Sequence, residues 1–199
     1  MVKAILICAA LVAVSLTGCA GLSTDVHTAN PAASFAGART YTIARPPSQD
    51  ASASAPSFET LLRAELAKQG FVDTQDLPAH YLLSIAYDTR PATISVATKD
   101  CPPGECDRAT PAPFSLFDGP VYQHGLTLRF FERASGREIY KVSAMSRDRD
   151  ADALHAMPSL VKSALARFPF DAPPDWRVKL RAHAAGGVPE VTSVKPLQP

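Results

Sequence analysis

Two cysteines, Cys101 and Cys106, are separated by four residues and are the pair best suited to covalent or metal chemistry. The intervening Pro102-Pro103-Gly104 favours a tight turn that can bring the two Cα atoms within the few ångströms that a disulfide requires. Closing so small a ring would contribute about 2 kcal/mol to the free energy of unfolding. A zinc site would need further ligands, since zinc takes four and the nearest histidine, His124, is isolated. A redox pair usually has two intervening residues rather than four. The spacing therefore favours a structural disulfide, with the other two interpretations left open.

Histidines and carboxylates form no recognisable catalytic pattern. No two histidines stand four residues apart on one predicted helix; the five are His27, His80, His124, His155 and His183. The chain has neither the Gly-x-Ser-x-Gly elbow of serine hydrolases nor a Gly-rich phosphate loop that opens a helix. Asp88 and Glu132, near predicted strand ends, could act as acid and base, but surface carboxylates are far more often solvated than catalytic. We therefore expect no catalytic residues, no bound cofactor and no metal site.

A third kind of chemistry is indicated at Cys19. Leu16-Thr17-Gly18-Cys19 follows a short apolar run that begins after the single charge of Lys3. A basic start, a brief apolar segment and small residues at its end are typical of a secretory signal peptide. The last four residues resemble the bacterial lipobox, in which cleavage before the cysteine leaves its sulfur and new amino group free for acylation. Residues 1–18 are thus predicted to be a lipoprotein signal peptide, with acyl chains such as palmitate attached at Cys19.

Two alternatives to lipidation remain open. An uncleaved membrane anchor needs roughly 20 apolar residues, and the uncharged stretch from Ala4 to Ser23 approaches that length but has a polar, small-sided second half. Ordinary signal cleavage beside an incidental cysteine is the other.

Acylation would be a firm anchor, because each buried methylene contributes about 0.8 kcal/mol and two or more chains hold a protein stably. Ala20, where inner-membrane lipoproteins tend to carry Asp, predicts the outer membrane and a domain that faces the periplasm.

Composition sets limits on the partners. Removing the leader leaves about 180 residues, enough for one domain with a sizeable core. The chain has 20 basic and 19 acidic residues, and Lys3 is the only charge of the leader, so the mature protein is neutral. A neutral balance gives no electrostatic footprint for nucleic acid. In an exported protein the cysteines left after Cys8 and Cys19 are interpreted first as a disulfide.

Hydrophobic periodicity predicts the order strand, helix, strand or strands, hairpin, helix. The segments are Arg39–Ala44, Ser57–Gly70, Tyr81–Tyr87 with a further edge strand at Ile94 and Val96, Val121–Phe131 paired with Arg137–Ala144, and Leu154–Phe168. Pro158 is expected at the first position of the last helix or at a kink. Helices that bracket an antiparallel sheet predict an α+β, two-layer sandwich, with about four to five antiparallel strands and two helices on one face. The opposite face of the sheet is a candidate binding surface.

The remaining segments are predicted to lie outside the domain. Residues 19–34 form a tether, 35–170 form the domain, and 98–120 form a Pro-rich loop insertion that contains both Cys101 and Cys106. Residues 171–199 are expected to be a flexible Pro-rich tail, in which Trp176–Leu180 could dock as an extra strand. The charge run Arg147–Asp150 is expected to be solvated.

Taken together, these segments resemble a bacterial lipoprotein family, domain of unknown function 4136, from Leu16 to about Phe170. After the lipobox, the resemblance rests on Leu22–Val26, Phe35–Tyr41, Lys68–Phe71, Tyr81–Tyr87, Leu126–Phe131, Ser135–Arg137 and Arg167–Pro169. These motifs are structural, so the resemblance implies a fold and says almost nothing about activity. The chain departs from the family at Ile43, where members often carry Trp, in the cysteine loop, and in the tail.

The functional prediction is a periplasm-facing lipoprotein of the outer membrane with a non-enzymatic binding or envelope-assembly role. Its expected partner is an envelope protein or glycan, bound by the open sheet face or the cysteine loop, in addition to the membrane that holds the anchor. Two alternatives are kept. One is an envelope hydrolase acting on peptidoglycan or lipid, which would need a pocket with convergent titratable groups. The other is a structural module that pairs through a sheet edge.

Overall fold

A computed structural model describes residues 21–29, 35–44, 56–74, 78–92, 119–182 and 187–197. Within these ranges the chain forms eight strands and two helices. They are β1 (Leu22–Thr28), β2 (Thr40–Ala44), α1 (Pro56–Lys68), β3 (Val72–Asp73), β4 (Tyr81–Pro91), β5 (Tyr122–Glu132), β6 (Glu138–Asp148), α2 (Ala153–Ala164), β7 (Asp175–Arg181) and β8 (Glu190–Pro196). Neither helix in the described part of the chain has the length and apolarity needed to cross a membrane.

All eight strands belong to one open, mixed sheet in the order β3-β2-β4-β5-β6-β1-β7-β8. β2 runs parallel to β3 and to β4, whereas every other pair is antiparallel. The parallel pair requires a long crossover, and α1 lies in the connection between β2 and β4. The two helices contact each other and pack on the same face of the sheet.

The predicted sandwich with four to five antiparallel strands is therefore wrong in strand number and in strand direction. β1 comes from the predicted tether, and it lies inside the sheet between β6 and β7. Its inward positions are Thr24, Val26 and Thr28, each 1% exposed, and two threonines among three buried positions made the segment look like a polar linker. β7 and β8 come from the predicted flexible tail. The edge strand proposed at Ile94 and Val96 lies outside the described residues.

Alternating side chains of the central strands form the core, as the period-two pattern predicts. Leu126, Leu128 and Phe130 of β5 are fully buried, and Leu83 and Val142 stand beside them on β4 and β6. The aromatic centre is Phe35, whose ring lies 5.1 to 5.4 Å from those of Phe71, Tyr81, Phe130 and Phe168. Offset and edge contacts of this kind stabilise a core beyond the area that they bury.

Helix α1 packs and ends as its sequence predicts. Phe58, Leu62 and Leu66 are buried, and Gly70 follows the helix with a φ of 79°, in the left-handed region. The backbone N–H of Phe71 then donates to the carbonyl of Leu66 at 3.0 Å, which satisfies a carbonyl of the last turn.

Helix α2 begins earlier than predicted. Asp152 caps it by accepting a hydrogen bond from the backbone N–H of Leu154 at 2.9 Å. Pro158 lies inside α2, so of its two predicted placements the first position of the helix is wrong and a place within the helical turns is observed. Because proline has no N–H, one hydrogen bond of the second turn is missing.

Two buried tyrosines, Tyr140 and Tyr41, differ in whether the hydroxyl group has a hydrogen-bond partner. Tyr140 is fully buried and its hydroxyl accepts a hydrogen bond from the backbone N–H of Phe170 at 3.0 Å. Tyr41 is equally buried, but its hydroxyl has no partner within the described ranges. Burial, with the nearby Asp73 carboxylate, raises the pKa of Tyr41 to about 12, so this hydroxyl stays neutral.

We expect Tyr140→Phe to lower the free energy of unfolding by about 1–3 kcal/mol, because it leaves the Phe170 N–H buried without an acceptor. Tyr41→Phe should be neutral or stabilising, because it removes only an unsatisfied hydroxyl. Urea unfolding of the two variants measures both values. Equal losses in the two variants would contradict this account.

Candidate functional site

A cavity of about 430 Å³ lies between α2 and the sheet, bounded by β1, β6 and the residues that flank the β7–β8 connection. Its apolar lining is Leu22, Ala156, Pro158, Ala182 and Pro189, and its polar lining is Thr24, Ser146, Asp148, His155 and Ser159, with Gly187 completing the wall. A volume of this size matches a small-molecule site, in which a few polar groups in an apolar wall orient a ligand.

Two hydroxyl groups in the cavity wall are buried without a partner. Thr24 Oγ1 and Ser146 Oγ have almost no contact with solvent, and neither makes a hydrogen bond within the described ranges. Buried polar atoms are normally paired with protein or with ordered water. Both residues belong to the cavity wall, so a change of χ1 rotamer would turn either hydroxyl toward a molecule bound there.

Beside the cavity, two histidines converge on one carboxylate. Asp148, at the end of β6, lies 3.1 Å from Nε2 of His124 through Oδ1 and 2.8 Å from Nε2 of His155 through Oδ2. His124, on β5, is 1% exposed, whereas His155, in the first turn of α2, is 39% exposed. The ligand atoms of the three residues lie within 4.8 Å of one another.

Strand register brings the first two residues together. His124 pairs with Ser146 in the β5–β6 ladder, so Asp148, two residues beyond Ser146, has its side chain on the same side of the sheet. Diagonal neighbours of this kind are within reach of long side chains. Thr89 Oγ1 on β4 lies 2.8 Å from Nδ1 of His124 and holds the other side of the ring.

Asp148, Asp150 and Asp152, in the connection between β6 and α2, place His155 beside the Asp148 carboxylate. The backbone N–H groups of Asp150, Asp152 and Leu154 each donate to the carboxylate two residues earlier, at 2.8, 2.9 and 2.9 Å. Asp side chains favour such turns because they bond the backbone two residues onward. The turns lead from β6 directly into α2. The predicted solvated charge run is thus wrong at Asp148, whose side chain is 26% exposed and hydrogen-bonded on both oxygens.

The Asp148 carboxylate is held in its charged form. Burial disfavours the charge, but hydrogen bonds from His155, the Asp150 backbone and His124 outweigh that effect and lower the pKa of Asp148. A carboxyl with a lowered pKa in the folded state stabilises the fold above its unfolded pKa, and this stabilisation is lost as the pH falls through the folded pKa.

The acid–base candidates predicted from the sequence, Asp88 and Glu132, are not members of this histidine–aspartate group. Asp88 and Glu132 lie at opposite ends of the β4–β5 ladder, since Asp88 pairs with Gly125 and Glu132 pairs with Tyr81. The structure therefore does not bring this acid–base pair together. Cys19, Cys101 and Cys106 lie outside the described residues, and lipidation and the disulfide stay predictions.

The group of His124, Asp148 and His155 was not predicted from the sequence, in which we expected no metal ligands. No local spacing joins these residues, because they come from two strands and a helix. The one local signal was Asp148-Arg149-Asp150-Ala151-Asp152 before an apolar helical stripe, since alternate aspartates ahead of a helix favour successive turns and a cap.

We expect Asp148→Asn to lower the free energy of unfolding by about 1–3 kcal/mol at pH 7, because three donors lose a charged acceptor. The difference from the unmodified protein should shrink as the pH falls below about 4, the unfolded pKa of aspartate. Urea unfolding across this range measures it. Asp175→Asn is the control, because Asp175 also pairs with a histidine but is 51% exposed, so its loss should stay within about 0.5 kcal/mol. A pH-independent loss in Asp148→Asn would contradict the assignment.

Comparison with solved structures shows a shared fold. A PDZ domain protein from Parabacteroides distasonis has a TM-score of 0.55 and 12% identity; the match covers 86% of this chain and only 42% of that one. A PelC dodecamer from Paraburkholderia phytofirmans has a TM-score of 0.43 and 15% identity over 72% of this chain and 95% of that one. A minor lipoprotein from Acinetobacter baumannii has a TM-score of 0.32 and 16% identity over 64% and 84%. Because the second and third TM-scores are below 0.5, only the first structure supports the shared fold, and at 12% identity it supports the fold alone.

Sequence comparison identifies the family but no activity. No curated protein matches the chain significantly. The family model described as Domain of unknown function (DUF4136) matches residues 24–170, which run from within β1 through α2 and end before β7. The match confirms the resemblance inferred from the sequence motifs, and the chain belongs to the DUF4136 family.

Proposed function

We propose that this protein is a lipid-anchored module of the bacterial envelope that binds a saccharide unit of an envelope glycan and catalyses no reaction. Cys19 carries the acyl chains, and the domain faces the periplasm from the outer membrane. The anchor and its location are supported by the lipobox and by Ala20. The observation that carries the binding role is the cavity with its two unpaired hydroxyl groups.

The chemistry of the cavity favours a polyhydroxylated ligand. Thr24 and Ser146 offer hydroxyls that both donate and accept, and Asp148 and His155 stand in the same wall. Sugar hydroxyls also donate and accept, and the carbon skeleton of a sugar ring can pack on the apolar lining. A saccharide therefore satisfies the buried hydroxyls without adding a charge that the cavity would have to neutralise.

The open face of the sheet, opposite the helices, is a weaker candidate than the sequence suggested. Its polar groups pair with one another: Arg177 donates to both carboxylate oxygens of Asp25 at 2.8 and 3.2 Å, and the hydroxyls of Thr127 and Ser143 are 2.9 Å apart. In the described part of the chain the exposed large apolar residues, Val72, Met145 and Val188, lie on separate segments. They form no contiguous patch of the kind that marks a protein interface.

An envelope hydrolase remains the second candidate because one hydrogen-bonded chain has the required order. Thr89, His124 and Asp148 link a hydroxyl, an imidazole and a carboxylate, as in nucleophilic hydrolases. The deep burial of His124 argues for a positioning role instead. Pairing through a sheet edge is the third candidate, and it would use β8, because β3 at the other edge has only two residues.

The anchor is tested by Cys19→Ser in the full-length gene. We expect the variant to leave the membrane fraction and to lose labelling by a fatty-acid probe, because neither thioether nor amide acylation can follow without the cysteine. Cys8→Ser is the matched control, since Cys8 lies in the leader, and it should change neither result. Membrane retention of Cys19→Ser with full labelling would refute lipidation.

The binding role is tested by Thr24→Val, which removes a buried unpaired hydroxyl at nearly constant volume. We expect unchanged or slightly higher stability, with affinity for soluble peptidoglycan saccharides reduced about tenfold, the effect of one hydrogen bond. Calorimetry measures the affinity. Thr127→Val on the open face is the control and should bind like the unmodified protein. Equal affinity in both variants would exclude the cavity as the saccharide-binding site. Cleavage of the saccharide that is abolished by Thr89→Val would instead establish the hydrolase function.

A further inference from the structure

We propose that His124, Asp148 and His155 form a binding site for a divalent transition-metal ion of the zinc class, in the wall of the cavity. This inference deepens the proposed function, because Asp148 and His155 also line the cavity. It does not depend on the identity of the cavity's ligand or on the lipid anchor.

The donor atoms are already close to the positions that a metal requires. Zinc binds imidazole nitrogen and carboxylate oxygen at about 2.0–2.2 Å in a tetrahedral arrangement, which places neighbouring ligand atoms about 3.3 Å apart. The Asp148 oxygens lie 3.1 and 2.8 Å from the two Nε2 atoms, and all three ligand atoms fit within 4.8 Å. The widest separation, up to 4.8 Å, exceeds the tetrahedral value by as much as about 1.5 Å, so the side chains would have to close around the ion by rotation.

Groups behind the donors are arranged as in known metal sites. A histidine ligand normally donates its second ring N–H to an oxygen, which fixes the ring and the tautomer. Thr89 Oγ1 lies 2.8 Å from Nδ1 of His124 and can orient that ring, whereas the Asp150 carboxylate oxygen, 3.9 Å from Nδ1 of His155, is too far for a hydrogen bond. Metal binding would displace the Nε2 protons, and with Nδ1 protonated on both rings the Nε2 lone pairs would then point to the shared position beside Asp148.

The donor set also selects the class of metal. Two imidazoles and one carboxylate suit zinc and its neighbours in the first transition row, whereas magnesium and calcium prefer oxygen ligands throughout. Three protein ligands leave a fourth position for water or another molecule. Because Asp148 and His155 line the cavity, that position is accessible to a ligand held there. A bound ion would add a positive charge that attracts hydroxyl or carboxylate groups of a saccharide.

A purely structural role for the same residues makes the opposite prediction. In that case both Nε2 atoms carry protons and donate to Asp148, which joins β5, β6 and α2 without an ion. The two arrangements differ in the tautomer of His124 and in the response to added metal. Measurement of metal binding therefore separates them.

The test uses the full-length chain in detergent, freed of metal with EDTA and titrated with Co²⁺ and then with Zn²⁺. We expect one ion per chain and visible Co²⁺ absorption typical of a tetrahedral site. His155→Gln should weaken binding by more than about 100-fold and Thr89→Val by about tenfold. His27→Gln is the matched control, because His27 also lies against an aspartate, 2.7 Å from Asp175 on the adjacent strand, and should leave binding unchanged.

The cysteines are removed as a competing site. In a Cys101→Ser, Cys106→Ser background the ion should still bind with the same affinity, and absorption from a thiolate–cobalt bond should be absent. Where a ligand variant fails to fold, nitrogen NMR of the unmodified protein replaces it: the Nε2 signals of His124 and His155 should shift on Zn²⁺ addition. Absence of binding, binding that survives His155→Gln, or unshifted signals would overturn the site. Saccharide binding measured in EDTA tests the proposed function separately.

Discussion

The carboxylate of Asp148 is the interaction on which this architecture depends. A charged group that is three-quarters removed from water destabilises a fold unless donors surround it, and here the donors come from β5, from α2 and from the backbone that joins β6 to α2. The hydrogen bonds that satisfy this one charge join the first turn of α2 to β5 and to the end of β6. The negative charge also lies near the start of α2, where the helix dipole favours an anion.

Residues inside and outside the family match contribute different parts of the cavity and of the histidine–aspartate group beside it. His124, Asp148 and His155 all lie within residues 24–170, which the family model matches. Ala182, Gly187 and Pro189 lie beyond it, and they form the outer wall of the cavity. Residues that follow the match, from 171 onward, reach the cavity because β7 pairs with β1, which itself pairs with β6. The matched domain therefore supplies most of the cavity wall and the whole histidine–aspartate group, and residues outside the match complete the wall.

Local patterns predicted the parts of the fold that local physics determines. The apolar spacing of α1, its Gly70 end and the alternation of Leu126, Leu128 and Phe130 all depend on neighbouring residues, and each was recognised. β1 was missed because Thr24 and Thr28 fill inward positions that the alternation rule assigns to apolar side chains. The parallel pairing of β2 with β4 was missed because it depends on the path of α1 across the sheet. The histidine–aspartate group was missed because strand register and helix placement, not spacing along the chain, bring its members together.

The place of β1 in the sheet sets how far the domain can stand from the bilayer. With Cys19 acylated, three peptide steps separate the lipid from Leu22, and each step spans at most about 3.6 Å. The first residue of β1 then lies within about 11 Å of the headgroups. Leu22 also lines the cavity. In that arrangement Leu22, and with it one wall of the cavity, would stay close to the bilayer, so the cavity would meet molecules that lie against the membrane before those that diffuse in solution.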